Sequence, residues 1–427
     1  MSRTVTRVGP TIRVGIADGD VRGGDNRSIQ LAIDALPPDG GTIEILPGVY
    51  TCFDALHLKS GVRLIGHGDQ TVLLKCDGAR SPLKIDADYG QLKITPVDAS
   101  GFLPGMGLLV GDNRTGGWLE TATTVLDVRD GVLTIADYLV MDYAARREGW
   151  VSSACSLISG IDVEDVCIEN LTVDGNKDAN SQMNGCRGGA IYLHKARRCS
   201  LRGCSVRDYN GDGISIQITE DTAIADCQVH GCTHIGMHPG TGSARVRMKN
   251  CTFSDNGEGG FFLCWRVQES TFQDLLCERN GVYGISVGHK DTDNAFIRCV
   301  LRDNGQYGVV FRDEELYNGG HRNTWQECLI ENNGNEQAGI GVRVRGHTHD
   351  NTFEDCTFRG TRPAGAVRQR VGMWLESNTR RFRTVHCTWN GMIDNLVDEA
   401  GTAGEHEIDA PQGRSHPGTV PRPEQRP

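Results

Sequence analysis

Seven times between Asp212 and Glu376 the chain repeats one phrase: a glycine followed by an apolar, a free, an apolar and a free position. The glycines are Gly213, Gly236, Gly260, Gly284, Gly308, Gly339 and Gly372, so the early period is 23 to 24 residues and later coils carry insertions. A unit of that length cannot bury its apolar face alone and must stack on its neighbours, which predicts a solenoid. The first apolar row is Ile214, Met237, Phe261, Ile285, Val309, Ile340 and Met373, and the second is Ile216, Pro239, Leu263, Val287, Phe311, Val342 and Leu375. Interleaved positions are mixed, the period-2 signature of a strand with one face buried.

A second register supports the stacking. An aromatic or aliphatic residue precedes a cysteine or leucine by three positions in coil after coil: Ile224 and Cys227, Met248 and Cys251, Phe272 and Leu275, Phe296 and Cys299, Trp325 and Cys328, Phe353 and Cys356. Asn-Gly steps at Asn210, Asn256, Asn280, Asn304 and Asn333 read as turns with the glycine at positive φ. Each coil therefore holds two or more short strands. Of the sixteen cysteines, Cys204, Cys227, Cys251, Cys299, Cys328, Cys356 and Cys387 fall at one coil position, and no CxxC pair occurs. They read as a buried ladder of reduced thiols rather than as disulfides or metal ligands.

The stretch "DNRSIQLAIDALPPDGGTIEILPGVYTCFDALHLKSGVRLIGHGDQTVL" closely resembles the opening segment of the pectate lyase superfamily, in which a short helix caps a right-handed parallel β-helix. Here residues 28–36 would be the helix, with Ile29, Ala32, Ile33 and Leu36 on one face. With the coils, the resemblance spans about three quarters of the chain. It implies an all-β fold, a single-stranded right-handed parallel β-helix with an N-terminal capping helix and a small β insertion. The expected organisation is cap and first coils over 1–84, the insertion over 85–158, the main coils over 159–400 and a Pro/Gly-rich, disordered tail over 401–427.

Composition sets limits. A net charge of -11 argues against a nucleic-acid partner. No apolar run approaches the ~18 residues of a spanning helix, so no membrane partner is expected. The opening residues lack the apolar core of a secretory signal, which implies a cytoplasmic protein, or a secreted one if the chain is a trimmed mature form. Homo-oligomerisation stays open.

Functional residues must lie at outward positions and in the loops after them. Adjacent coils are about 4.8 Å apart, close to one sugar ring, so a linear poly- or oligosaccharide would meet about one coil per residue. The dense cluster is His289, Lys290 and Asp291 in "GHKDTDN" with Arg312, Asp313 and Glu314 in "FRDEE". Gln217, His238, Trp265, Arg343, Trp374 and Glu376 would extend it as substrate-binding positions. Three chemistries fit. β-Elimination of a uronic acid polymer needs the carboxylate neutralised, by Ca²⁺ or by Arg/Lys, and a base for the C5 proton. Under that reading Lys290 or His289 is the base and Arg312 holds the carboxylate. Hydrolysis needs two carboxyl groups about 5 Å apart if retaining or about 6.5 to 9.5 Å if inverting, with Asp291 and Glu314 as the pair. C5 epimerisation needs an acid and a base on opposite ring faces.

Family motifs are only partly kept. Polygalacturonases carry an acid pair where this chain has His234 and Ile235, although Asn210, Gly211 and Asp212 match their preceding motif. Mannuronan C5-epimerases carry Tyr-Gly-Phe-Asp-Pro-His, whereas Ile235 to Gly240 read "IGMHPG", which disfavours an epimerase. No acid cluster can be assigned to Ca²⁺, so Ca²⁺ stays open as a cofactor with its ligands unassigned. The expected function is cleavage of glycosidic bonds in an acidic saccharide, elimination first and hydrolysis second, with a non-catalytic, tailspike-like saccharide binder as the remaining alternative.

Overall fold

The computed structural model describes residues 9–335, 339–361 and 368–411. The chain divides into two compact units, 1–215 and 216–427.

In the first unit, helix Asn26–Ala35 is N-capped by Asp25, whose carboxylate accepts from the N–H groups of Arg27 and Ser28, satisfying two donors that a helix start leaves open. Its buried face holds Ile29, Ala32 and Ile33, with Leu36 just beyond the last turn. Strand Val62–Lys75 pairs in parallel with Gly41–Ile45, Gly48–Cys52 and Cys167–Asp174. Between these coils stands an antiparallel sheet whose strands include Arg80–Pro82, Gly107–Gly111, Thr121–Arg129, Val132–Ile135 and Trp150–Ser152. It has its own core of Phe102, Leu108, Val125, Leu133, Tyr143 and Val151.

The second unit stacks coils of three strands. One coil is Thr271–Gln273, Leu276–Glu278 and Tyr283–Val287, and each strand pairs in parallel with its counterpart in the next coil. The expected rows fill the core: Phe296 stacks on Trp325 with ring centroids 3.9 Å apart, and Trp325 lies 5.4 Å from Phe353. All sixteen cysteines are free, and Cys227, Cys251, Cys299, Cys328 and Cys356 are buried.

Three sequence expectations change. The repeat slips by two residues in one coil: Val309 pairs with Val342, Val310 with Arg343 and Phe311 with Val344. Gly341, not Gly339, is thus the counterpart of Gly308, and Ile340 joins an outward row where it packs with Val371 and Trp374. Across each such glycine the residue before it faces outward and the residue after it inward, so the frame decides the face of Ile340, and "GIG" offers a glycine in either frame, which alternation alone cannot resolve. Secondly, the Asn-Gly steps are not all positive-φ turns. Gly211 and Gly334 have φ of 147° and 121°, whereas Gly257, Gly281 and Gly305 do not adopt positive φ. Asn256, Asn280, Asn304 and Asn333 are buried and form a ladder: Asn304 Oδ1 accepts from the backbone N–H and the side-chain amide of Asn280 at 3.1 and 3.0 Å. Gly281 is glycine because a Cβ there would collide with the Gly257 carbonyl. Thirdly, residues 401–411 of the expected tail are packed against the last coils. Gly401–Gly404 forms a 3-10 turn, His406 Nδ1 accepts from the Phe382 N–H at 3.1 Å, and Asp409 accepts from Thr384 Oγ1 at 2.6 Å. Residues 412–427 lie outside the described residues.

Candidate functional site

In the second unit the glycine-led strands form one parallel sheet, Ile235–Gly240, Gly259–Phe262, Tyr283–Val287, Tyr307–Phe311, Ile340–Val344, Val371–Leu375 and Asp394–Asp398. Pairing passes from Tyr283 and Tyr307 to Ile285 and Val309, leaving Gly284 between, where a Cβ would press on the Gly308 carbonyl and the Asn304 amide. That local step turns Tyr283 and Ser286 outward while Ile285 and Val287 fill the core. The sheet's outer face is largely apolar, with Ile235, Tyr283 and Val310 buried against Phe262 and Tyr307.

Arg312 lies across this face. Its guanidinium sits 4.5 Å from the Phe262 ring centroid, a favourable cation–π contact. It donates to Ser286 Oγ at 2.9 Å, the Leu263 carbonyl at 2.8 Å and Asp291 Oδ2 at 3.2 Å. Gly288 has no side chain because a Cβ would sit 2.5 Å from Arg312 Nε. Asp291 is 0 % exposed and also accepts the backbone N–H groups of Val267 and Gly288, each at 2.9 Å. Burial lifts its pKa to about 6 against the pull of Arg312. Both residues are committed to the fold. Asp291, 0 % exposed, cannot reach a sugar as a hydrolytic acid, and three of the five Arg312 donors already serve protein acceptors.

His289 and Glu314 do meet. Imidazole Nδ1 lies 3.2 Å from Glu314 Oε2, and the ring stacks on Trp265 with centroids 4.3 Å apart and 19° between planes. A carboxylate at Nδ1 selects the tautomer with Nδ1–H, leaving Nε2 as the free acceptor. Trp265 is 50 % exposed, an open aromatic face beside that imidazole. Lys290 occupies the turn at φ 61°, and its N–H donates to the Asn318 carbonyl at 2.6 Å. Among the described residues no carboxylate lies within 4 Å of its ammonium. Asp313 is solvent-facing, with Arg345 Nη2 at 3.9 Å.

The other positions sort by burial. Arg343 lies 3.8 Å from the centroid of Trp374 and pairs with Glu376, which also faces Arg345 Nε at 3.6 Å. Trp374 is buried, its Nε1–H donating to Glu399 at 3.1 Å. Gln217 is fully buried against Gly240, and His238 is buried edge-on to Phe262 at 5.2 Å. These two were expected to bind substrate in the groove. They are under it instead, because neighbouring coils cover the outward strand positions.

A group absent from the sequence candidates stands in the first unit: Trp118 and Glu120 from the insertion, with Arg187, Tyr192 and His194. Tyr192 and His194 point outward from strand Ile191–His194, between core residues Ile191 and Leu193. The signal was present, since "AIYLH" keeps the apolar alternation one coil before Gly213 with Ala190 in the place of the leading glycine.

A family model described as right handed beta helix region matches residues 153–273 and 189–358, together just under half of the chain. No curated protein matches the sequence. Among solved structures, the A-module of the Azotobacter vinelandii mannuronan C-5 epimerase AlgE4 has a TM-score of 0.55 at 15 % identity, covering 90 % of this chain and 97 % of that one. The AlgE6 A-module from the same organism has a TM-score of 0.56 at 17 % identity, covering 93 % and 100 %. Geobacillus virus E2 ORF18 has a TM-score of 0.53 at 13 % identity, and this chain matches 90 % of itself to 62 % of that protein. At such identities the likeness speaks to fold alone, and with the coil pairing it identifies this protein as a right-handed parallel β-helix.

Proposed function

We propose that this β-helix binds an acidic polysaccharide along the outer face of the glycine-led sheet and cleaves it by β-elimination in the loops after Val287 and Phe311. The His289–Glu314 contact beneath the open face of Trp265 carries the reading. Elimination takes the C5 proton of a uronate unit, forms the C4–C5 double bond and expels the 4-linked oxygen, which takes up a proton. His289 Nε2 is the base, and Glu314 stabilises the imidazolium that results. Lys290, with no carboxylate within 4 Å among the described residues, neutralises the uronate carboxylate and so lowers the cost of charge at C5. Trp265 offers its plane to an adjoining sugar. The fold neighbours support the substrate class, since two of them are named as epimerases acting at C-5 of mannuronan.

The test is incubation of the purified protein with a panel of uronic acid polymers, following absorbance near 235 nm. A rise that is lost in His289→Ala supports elimination. Reducing ends without the absorbance would replace it by hydrolysis, inversion at C5 without cleavage would replace it by epimerisation, and binding without any product would make the protein a saccharide binder.

A further inference from the structure

We propose that the first unit holds a second saccharide site, a subsite for a carboxylated sugar formed by Trp118, Arg187 and His194. This site is built from other residues than the elimination centre and borrows from that reading only the class of ligand.

The geometry begins with Arg187. Its Nε donates to the backbone carbonyl of Glu120 at 2.6 Å, which fixes the guanidinium plane while using one of its donors. Its Cζ lies 5.8 Å from the centroid of Trp118. Most arginines on the coils are spent in ion pairs between neighbouring coils, such as Arg245 with Asp221 and Arg322 with Asp293. Arg187 is not: among the described residues no carboxylate stands within 4 Å of it. An anchored guanidinium with unpaired terminal donors is a fork suited to a carboxylate.

The rest of the surface suits a sugar. Trp118 is half-buried, and its ring meets His194 at 5.1 Å, giving a flat apolar platform bordered by an imidazole. Burial, with the positive charge of Lys195, pushes the His194 pKa down to about 4, so at neutral pH the ring is an uncharged hydrogen-bonding group suited to a hydroxyl. Glu120 is only 8 % exposed, and among the described residues its Oε2 has no hydrogen-bond partner. A buried carboxyl oxygen left so is a cost that a ligand hydroxyl would offset. Gly116 and Gly117 precede the tryptophan, with Gly117 at φ 56°, and a Cβ on Gly116 would meet no atom within 4 Å. The strap carrying Trp118 therefore has room to adjust over a ligand.

The experiment is hydrogen–deuterium exchange on the full chain with an unsaturated tetrauronate and with a neutral tetrasaccharide as probes. The expected result is protection of residues 112–120 and 186–194 by the tetrauronate alone, with at least ~10-fold weaker apparent affinity in Arg187→Ala and in Trp118→Ala. Arg187→Lys, which keeps the charge but not the fork, should fall between. No protection in the wild type, equal protection by the neutral sugar, or unchanged protection in a folded Arg187→Ala would each overturn the proposal. The readout is local to these segments and is expected to persist in His289→Ala. A failure of elimination at 235 nm is thereby distinguishable from a failure of this site.

Discussion

The half-buried guanidinium of Arg312 and the buried carboxylate of Asp291 form a pair, 3.2 Å between Nη2 and Oδ2, that ties the loop after one strand to the strand of the next coil. Its position beside His289 and Lys290 gives it the look of catalytic machinery. Its connections are those of a corner brace: Asp291 also holds the backbone N–H groups of Val267 and Gly288, and Arg312 also holds the Leu263 carbonyl. The brace and the proposed dyad of His289 and Glu314 thus draw on the same two segments, with neighbouring residues making different contacts.

The pair makes stability depend on pH. Asp291 has a folded pKa of about 6 against an ordinary 3.8, raised by burial. The folded state therefore holds the proton more tightly than the unfolded one, and stability falls as pH rises from about 4 to about 6, by at most about 3 kcal/mol. Asp291→Asn removes that titration. Denaturant unfolding should show the variant at its greatest disadvantage to wild type at pH 4 and catching up by pH 7. A stability difference that stays constant between those pH values would refute the assignment.

How much of this was legible depended on whether a residue's task is periodic. Inward rows such as Ile285, Val309 and Met373 repeat, so parity alone assigned them to the core. The cysteine column was readable for the same reason. The two-residue slip at Gly341 was not, because "GIGVRV" offers a glycine in either frame and only the paired coil decides between them. The asparagines were seen, but their task depends on a neighbour 24 residues away in sequence, which a turn rule does not consult. At the site, His289 and Glu314 were placed together by coil spacing. That Gln217 and His238 lie beneath the surface followed from cover supplied by adjacent coils, and no local pattern records it.

Turnover should separate the dyad from the brace. If elimination proceeds through His289, His289→Ala should lower kcat by at least ~10²-fold, and Glu314→Gln, which keeps the shape but removes the charge facing Nδ1, by about 10-fold or more. Lys290→Ala should likewise cost ~10²-fold. Kinetics on a confirmed polyuronate, with circular dichroism to establish folding, check this. Wild-type turnover in all three variants would move the reaction away from these loops.

The asparagine ladder should carry more stability than its polar character suggests. Asn304 accepts two hydrogen bonds from Asn280 and donates to the Cys277 carbonyl at 3.0 Å and to Asn333 Oδ1 at 2.9 Å. Asn304→Ala strips partners from several buried groups at once, so a loss of about 3 kcal/mol or more is expected in urea unfolding. Phe311→Ala, a buried aromatic truncation, should cost about 3 to 5 kcal/mol. If Asn304→Ala cost no more than a surface substitution, within about 0.5 kcal/mol, the ladder would be ornamental to stability.

The cysteine column offers a chemical check on the same stacking. Each thiol there points into the coil, and its donor contacts are backbone carbonyls: Cys299 Sγ lies 3.5 Å from the Phe272 carbonyl and Cys328 Sγ 3.5 Å from that of Phe296. Hydrogen bonding with the Cys227 thiol, then burial, raises the pKa of Cys251, and burial with the Cys299 thiol beside it raises that of Cys328. The nucleophile toward a thiol reagent is the thiolate, so both access and ionisation oppose reaction. Under native conditions at pH 8, mass-spectrometric mapping should find rapid labelling confined to partly exposed thiols such as Cys76, Cys186 and Cys264. Cys227, Cys251, Cys299, Cys328 and Cys356 should stay unmodified until denaturant is added, whereupon all sixteen titrate. Because the five sit in successive parts of one stack, they should become reactive together across the unfolding transition. Early labelling of Cys251 or Cys299 in the native protein would mean that this face of the coil opens to solvent, and the buried column would have to be abandoned.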